Sequence, residues 1–147
     1  MDCEDRQDAA SGALLFVYGT LRKGFPSHQI LQRLHARLLG RGHVRGRLFD
    51  LGKYPGAVEN ADEGEFVSGE VYRLPRAAMA LRVLDRYEGF DPLKPQFNEF
   101  VRKETIVTLK RGREIRAWIY WLRNTRAAGR RILRGDYGVQ RSEGVRI

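Results

Sequence analysis

The chain has 147 residues with one cysteine, Cys3, and its 27 lysines and arginines against 18 aspartates and glutamates give a formal charge of +9. This length suits one domain that buries roughly two-thirds of the surface its unfolded chain exposes, with no disulfide framework and no cysteine-based metal centre. No apolar run is long enough to span a bilayer, and the start Met1-Asp2-Cys3-Glu4-Asp5 is acidic where a signal peptide is basic, so a cytoplasmic protein is expected. The basic balance favours acidic partners such as nucleic acid, a membrane surface or small anionic metabolites, or is simply a solvated surface.

Residues 1 to 12 are small and charged without periodicity and read as a disordered tail, leaving residues 13–147 as a single domain. Leu14 to Val17 is an unbroken apolar run, as in a strand covered on both faces. It stops at Tyr18-Gly19-Thr20-Leu21-Arg22, where Gly19 permits a bend or a close approach to the backbone. The stretch reads either as an ordinary turn or as a place where backbone N–H groups meet a ligand. Pro26-Ser27 then starts a helix, with Ile30, Leu31, Leu34, Leu38 and Leu39 at helical spacing until Gly40 and Gly42.

His43 to Leu51 alternates like a half-exposed strand, and Gly52 to Ala57 reads as a turn. Glu65 to Leu74 gives another strand, with Gly69 marking a bulge or a close approach. Pro75 opens a second helix, Arg76 to Glu88, closed by Gly89. After a loop at Asp91 to Gln96 come strands Phe100 to Leu109 and Glu114 to Leu122, joined by a hairpin turn at Lys110 to Arg113. Arg123 to Ile147 reads as loop with one short strand. Strands at hairpin spacing with two inserted helices predict an α+β domain, built on a small mixed, mostly antiparallel β-barrel with flanking helices.

The second helix carries an anomaly. At 3.6 residues per turn, Ala77, Ala80, Leu81, Val83, Leu84 and Tyr87 share one apolar sector, and Glu88 falls inside it while Arg82, Asp85 and Arg86 fall outside or at its margin. A carboxylate on that line is paired, sits at the edge of a cleft, or is held partly protonated by desolvation; otherwise it bends out into water at the helix end. A glutamate of raised pKa in a cleft is suited to proton transfer near neutrality. His28, His35 and His43 show no metal-ligand spacing, and no metal site is expected.

Taken together, Val17-Tyr18-Gly19-Thr20-Leu21-Arg22-Lys23-Gly24, Tyr54-Pro55-Gly56-Ala57, Val67-Ser68-Gly69-Glu70-Val71-Tyr72, Leu84-Asp85-Arg86-Tyr87-Glu88-Gly89, Arg102 and Ala117-Trp118-Ile119-Tyr120 resemble the γ-glutamylcyclotransferase-like superfamily. The likeness is to its γ-glutamylamine cyclotransferase and AIG2-like branch. It implies a small mixed barrel, no metal, no organic cofactor, and cleavage of a γ-glutamyl amine or amide into 5-oxoproline and the free amine. A small anionic γ-glutamyl compound is the implied partner. The resemblance assigns proton transfer to Glu88 and substrate binding to Tyr18, Gly19, Thr20, Leu21, Tyr54, Pro55, Gly56, Arg102 and Tyr120. Arg22 and Arg102 are candidate partners for the glutamyl α-carboxylate. Phe100 departs from the pattern, standing where a tyrosine is expected two residues before Arg102. Two other readings compete: a non-catalytic metabolite-binding domain of the same fold, and a small basic nucleic-acid-binding protein using exposed Trp118 or Trp121. The chain carries no RRM, KH or zinc-finger signature for the latter.

Overall fold

The first strand, β1 (Ala13–Val17), ends in three consecutive buried residues, Leu15, Phe16 and Val17, because it closes a barrel and is covered on both sides. The computed structural model describes residues 12–59, 62–94, 96, 98–123 and 129–138. The tail expected at residues 1–12 lies outside them except for Gly12, as do Cys3 and most of the basic C-terminal stretch.

After β1 come α1 (His28–Arg33), β2 (Arg37–Arg45), β3 (Arg47–Asp50), β4 (Pro55–Val58) and β5 (Phe66–Leu74). They are followed by α2 (Ala77–Glu88), β6 (Phe100–Leu109), β7 (Glu114–Leu122) and β8 (Arg130–Ile132). The barrel runs β1-β5-β2-β6-β7 and closes where β1 meets β7 in parallel at Leu15 and Trp118; its other pairings are antiparallel. A smaller sheet, β4-β3-β8, packs beside it. The predicted mixed, mostly antiparallel barrel with flanking helices is therefore what the chain forms. At Gly69 the strand makes a close approach rather than a bulge: a Cβ there would collide with the Val17 carbonyl oxygen. The bulge of this pairing lies instead between Leu38 and Gly40.

Three local expectations are corrected. The first helix stops at Arg33, and Leu38 and Leu39 lie on β2 with about half their surface exposed, 55% and 49%. Its end is a Schellman turn, in which the Ala36 N–H reaches the Leu31 carbonyl and the His35 N–H that of Gln32. His35 takes the left-handed position with φ 57, where a glycine would have announced the stop. The strand expected from His43 to Leu51 is broken at Gly46, where the chain passes from the barrel into the small sheet. Finally, Pro55–Val58 is a strand; the turn is only Leu51 to Tyr54, closed by the Leu51 N–H on the Tyr54 carbonyl with Gly52 at φ 104.

On α2, Ala77, Ala80 and Leu84 face the core, whereas Val83 and Tyr87 at the sector's edge stay exposed. This helix packs on the apolar cluster that includes Leu15, Val17, Tyr72, Phe100 and Tyr120. Gly89 closes it at φ 70 with the Phe90 N–H on the Asp85 carbonyl, as its sequence position predicts. Among the described residues, no helix is long and apolar enough to cross a membrane.

Candidate active site

A cavity of about 420 Å3 opens between the segment after β1, the turn before β4 and the last turn of α2. Tyr18, Gly19, Thr20 and Leu21 form one side and Glu88 with Tyr87 and Gly89 another, with Tyr54, Pro55, Phe100 and Tyr120 completing the lining. The first-strand segment and the out-of-place carboxylate thus border one hollow.

The loop is held by its ends, and its middle N–H groups meet no acceptor among the described residues. The buried Tyr18 hydroxyl donates to the Tyr120 carbonyl at 2.7 Å and accepts from the Ala57 N–H at 3.1 Å, tying the loop to β7 and to β4. The Arg22 N–H returns to the Gly19 carbonyl at 3.1 Å, which makes residues 19–22 a tight turn. Position 19 must be glycine for packing: a Cβ would stand 2.7 Å from Pro55 Cγ. The N–H groups of Gly19, Thr20 and Leu21 donate to no described residue. Thr20 Oγ1 lies 2.9 Å from the Tyr87 hydroxyl, which donates to Ser27 Oγ at 2.9 Å, so the loop is also pinned to α2.

Helix α2 is anchored by a residue that the sequence placed on its outer side. Asp85 accepts from Arg102 Nε at 2.7 Å, from Arg102 Nη2 at 3.1 Å and from the Tyr120 hydroxyl at 2.7 Å. The Arg102 guanidinium also lies over the Trp118 ring, 4.5 Å from its centroid. This clamp fixes the register of the last helical turn and so directs Glu88 into the hollow. Burial is the larger cause, and the nearby Glu99 carboxylate the smaller, that raises the Glu88 carboxyl from 4.5 to about 8. Burial and then the charge of Glu88 push the Tyr18 hydroxyl far above its ordinary value, whereas its bond from Ala57 acts the other way. At the rim the Tyr54 hydroxyl donates to Glu99 Oε1 at 2.5 Å; that bond, with some burial and the two carboxylates, raises it to about 12.

The sequence-derived residues divide cleanly. Glu88, Tyr18, Gly19, Thr20, Leu21, Tyr54, Pro55 and Tyr120 line the cavity, although the Tyr120 hydroxyl is committed to Asp85. Gly56 does not line it: it is buried in β4, where a Cβ would stand 3.1 Å from side-chain carbons of Leu51 and Leu122. Arg102 lies outside the lining, engaged by Asp85, and Arg22 is buried at 6% exposure and paired with Asp136 at 2.7 Å. Phe100, the departure from the family pattern, is buried in the cavity wall. The lining residues outside the predicted set include Glu99, Tyr87 and Arg86. Arg86 is the one cation among the described lining residues. Its signal was available, two positions before Glu88 at the margin of the apolar sector. Of the two tryptophans in the nucleic-acid reading, Trp121 is buried at 3% exposure. Among the described residues, no group of three or more histidine, cysteine, aspartate or glutamate side chains could hold a metal ion.

A desolvated carboxyl at a helix end, opposite a glycine turn whose N–H groups donate to no described residue, is an arrangement with the chemical means to move a proton beside a developing oxyanion. The chain belongs to the family described as gamma-glutamyl cyclotransferase, AIG2-like, whose model matches residues 15–139. It is 32% identical over 124 residues to a Methanocaldococcus jannaschii protein named "Putative gamma-glutamylcyclotransferase", covering 84% of this chain and 93% of that one. It is 36% identical over 95 residues to the gamma-glutamylaminecyclotransferase of Bos taurus, covering 56% of this chain and 53% of the relative. Among solved structures, an AIG2-like protein from Mus musculus superposes with a TM-score of 0.63 at 26% identity, covering 76% of this chain and 77% of that one.

Proposed function

We propose that the protein is a γ-glutamyl cyclotransferase acting on a γ-glutamyl amine or amide, with Glu88 as its general acid and base. The observation that carries this reading is the pairing, in one cavity, of a carboxyl raised to about 8 with the Gly19-Thr20-Leu21 turn. The α-ammonium of the bound glutamyl group gives a proton to the Glu88 carboxylate, and the neutral nitrogen attacks the γ-carbonyl carbon of the same residue. Negative charge collects on the carbonyl oxygen, where the N–H groups of Gly19, Thr20 and Leu21 receive it. The protonated Glu88 then delivers its proton to the departing nitrogen as the amide C–N bond breaks, the carboxylate so restored takes the second proton from the ring nitrogen and passes it to the released amine, and 5-oxoproline and the protonated amine leave. The nucleophile is already part of the substrate, so no covalent enzyme intermediate is required.

The raised proton affinity fits both duties. An ordinary carboxylate lies several pH units below an α-amino group, and desolvation brings Glu88 much of the way towards it. Transfer in either direction then costs little. Arg86, at the rim, is the cation that can meet the α-carboxylate, since Arg22 and Arg102 are engaged by Asp136 and Asp85. The test is to incubate the protein with a panel of γ-glutamyl amines and γ-glutamyl amino acids, γ-glutamyl-ε-lysine included, and to measure 5-oxoproline. Formation by the wild type and its loss in Glu88→Gln supports the assignment. Saturable binding without product identifies a non-catalytic binding domain instead.

A further inference from the structure

The cavity that holds Glu88 carries one charge more than a glutamyl group matches. Its described lining has one cation, Arg86, and two carboxylates, Glu88 and Glu99. A bound γ-glutamyl group brings an α-carboxylate, which Arg86 meets, and an α-ammonium, which gives its proton to Glu88. Both charges of that moiety are then matched, and Glu99 has no counterpart in it. A counterpart for Glu99 has to come from the amine that leaves.

Three observations set Glu99 apart from a carboxylate on a solvated surface. It immediately precedes β6, and its carbonyl accepts from the Arg123 N–H at 2.9 Å, so its backbone is tied to the end of β7. Its Oε1 accepts from the Tyr54 hydroxyl at 2.5 Å, which steers the side chain along the cavity rim, and no described residue donates to Oε2. Elsewhere the chain, with 27 lysines and arginines for 18 acids, supplies its carboxylates with cations, as Glu59, Glu65, Asp85 and Asp136 show. By contrast Glu99 forms no ion pair among the described residues, and it stands close enough to Glu88 to oppose the ionisation that the reaction needs. A cation brought to Glu99 relieves that repulsion, and a second anion adds to it. The volume of about 420 Å3 lies in the range of small-ligand sites, with space for a short chain beyond the glutamyl group.

We propose that Glu99 is a specificity residue, selecting γ-glutamyl amides whose released amine carries a second ammonium, as a diamine does. The inference rests on the cyclotransferase reading. Its test compares the γ-glutamyl amides of 1,4-diaminobutane, pentylamine and 5-aminopentanoate, whose chains are of equal length and end in an ammonium, a methyl group and a carboxylate. The quantity measured is the ratio of their kcat/KM values from 5-oxoproline formation. The influence of Glu99 on Glu88 is common to all three compounds and cancels in that ratio. The wild type should favour the diamine amide over the pentylamide by roughly 5-fold or more at low ionic strength, turn over the carboxylate-ended amide slowest, and lose preference as salt is added. Glu99→Gln should bring the diamine amide and the pentylamide level. Glu99 is exposed, so far-UV circular dichroism of the variant should match the wild type. Equal rates on those two amides in the wild type, or a preference that survives in Glu99→Gln, would overturn the inference and leave the cyclotransferase reading standing. Product from γ-glutamyl amino acids but from none of the three amides would do the same. No 5-oxoproline from any γ-glutamyl compound would bring down the reading on which the inference rests, and the inference with it.

Discussion

Replacing Glu88 with glutamine should make the protein more stable while removing the proposed chemistry, and the size of the gain should depend on pH in the way a partly buried, desolvated carboxyl produces. The carboxyl titrates at 4.5 when unfolded and near 8 in the fold, so between those values the native state holds a proton that the unfolded state has released. Stability contributed by the protonated form is therefore fully present below 4.5 and lost as pH rises towards 8. At about 1.4 kcal/mol per pH unit, the loss is about 1 kcal/mol at pH 5, about 3 kcal/mol at pH 7 and about 5 kcal/mol at pH 9. Glutamine keeps the shape of the protonated acid and never ionises. Urea denaturation of both proteins across this range should show a difference that widens with pH and levels off above 8. In parallel, 5-oxoproline formation should fall by roughly 10²- to 10⁴-fold. A variant with the same stability as the wild type at pH 9 would mean that the carboxyl is hydrated, and the assignment of proton transfer to it would fail with the burial argument.

Further outcomes test the rest of the site. The kcat/KM of the wild type should rise with pH through about 8, because attack needs the unprotonated carboxylate, and Glu99→Gln should move that midpoint downward by removing a neighbouring negative charge. A midpoint unmoved in Glu99→Gln would rule out that coupling. Gly19→Ala should cost about 1–3 kcal/mol of stability and most of the turnover, because its methyl group meets Pro55 and pushes the turn off its position. Wild-type activity in Gly19→Ala would show that the loop does not serve the reaction.

How much of this was legible in the sequence depends on whether the controlling interaction was local. The end of α2 was readable because Gly89 occupies the left-handed position itself, whereas the end of α1 was not, since His35 fills the same role without the residue type that signals it. Glu88 could be found because helical periodicity places a residue relative to its own neighbours. Asp85, three residues earlier on the same helix, could not be read in the same way: its value lies in Arg102 and Tyr120, on two strands that only the β6–β7 hairpin brings beneath it. Arg102 looked like a carboxylate ligand for the same reason. It does bind a carboxylate, but one supplied by the protein. Pro55 to Ala57 read as the second half of a turn in the sequence, yet they lie on β4, because pairing with β3 outweighs the turn preference of Pro55 and Gly56.

Tyr120 joins the two walls of the hollow. Its carbonyl receives the Tyr18 hydroxyl that holds the glycine loop, and its own hydroxyl donates to the aspartate that orients the helix end bearing Glu88. If both walls are positioned through one residue of β7, releasing either should spoil the alignment between base and oxyanion donors, and releasing the second should add little. Tyr18→Phe and Tyr120→Phe separate these links, since the latter keeps the carbonyl and loses only the bond to Asp85. Tyr18→Phe takes the partner from the buried Ala57 N–H and Tyr120→Phe leaves Asp85 with Arg102 alone, so each should cost about 1–3 kcal/mol in urea denaturation, whereas the double variant should lose close to the sum because the bonds are distinct. Catalysis should behave differently: kcat/KM of the double variant should be close to that of the weaker single variant, as for groups that act as a unit. Activity losses that multiply as the stabilities add would show that the two walls are positioned independently, and Tyr120 would then be only a packing residue of β7.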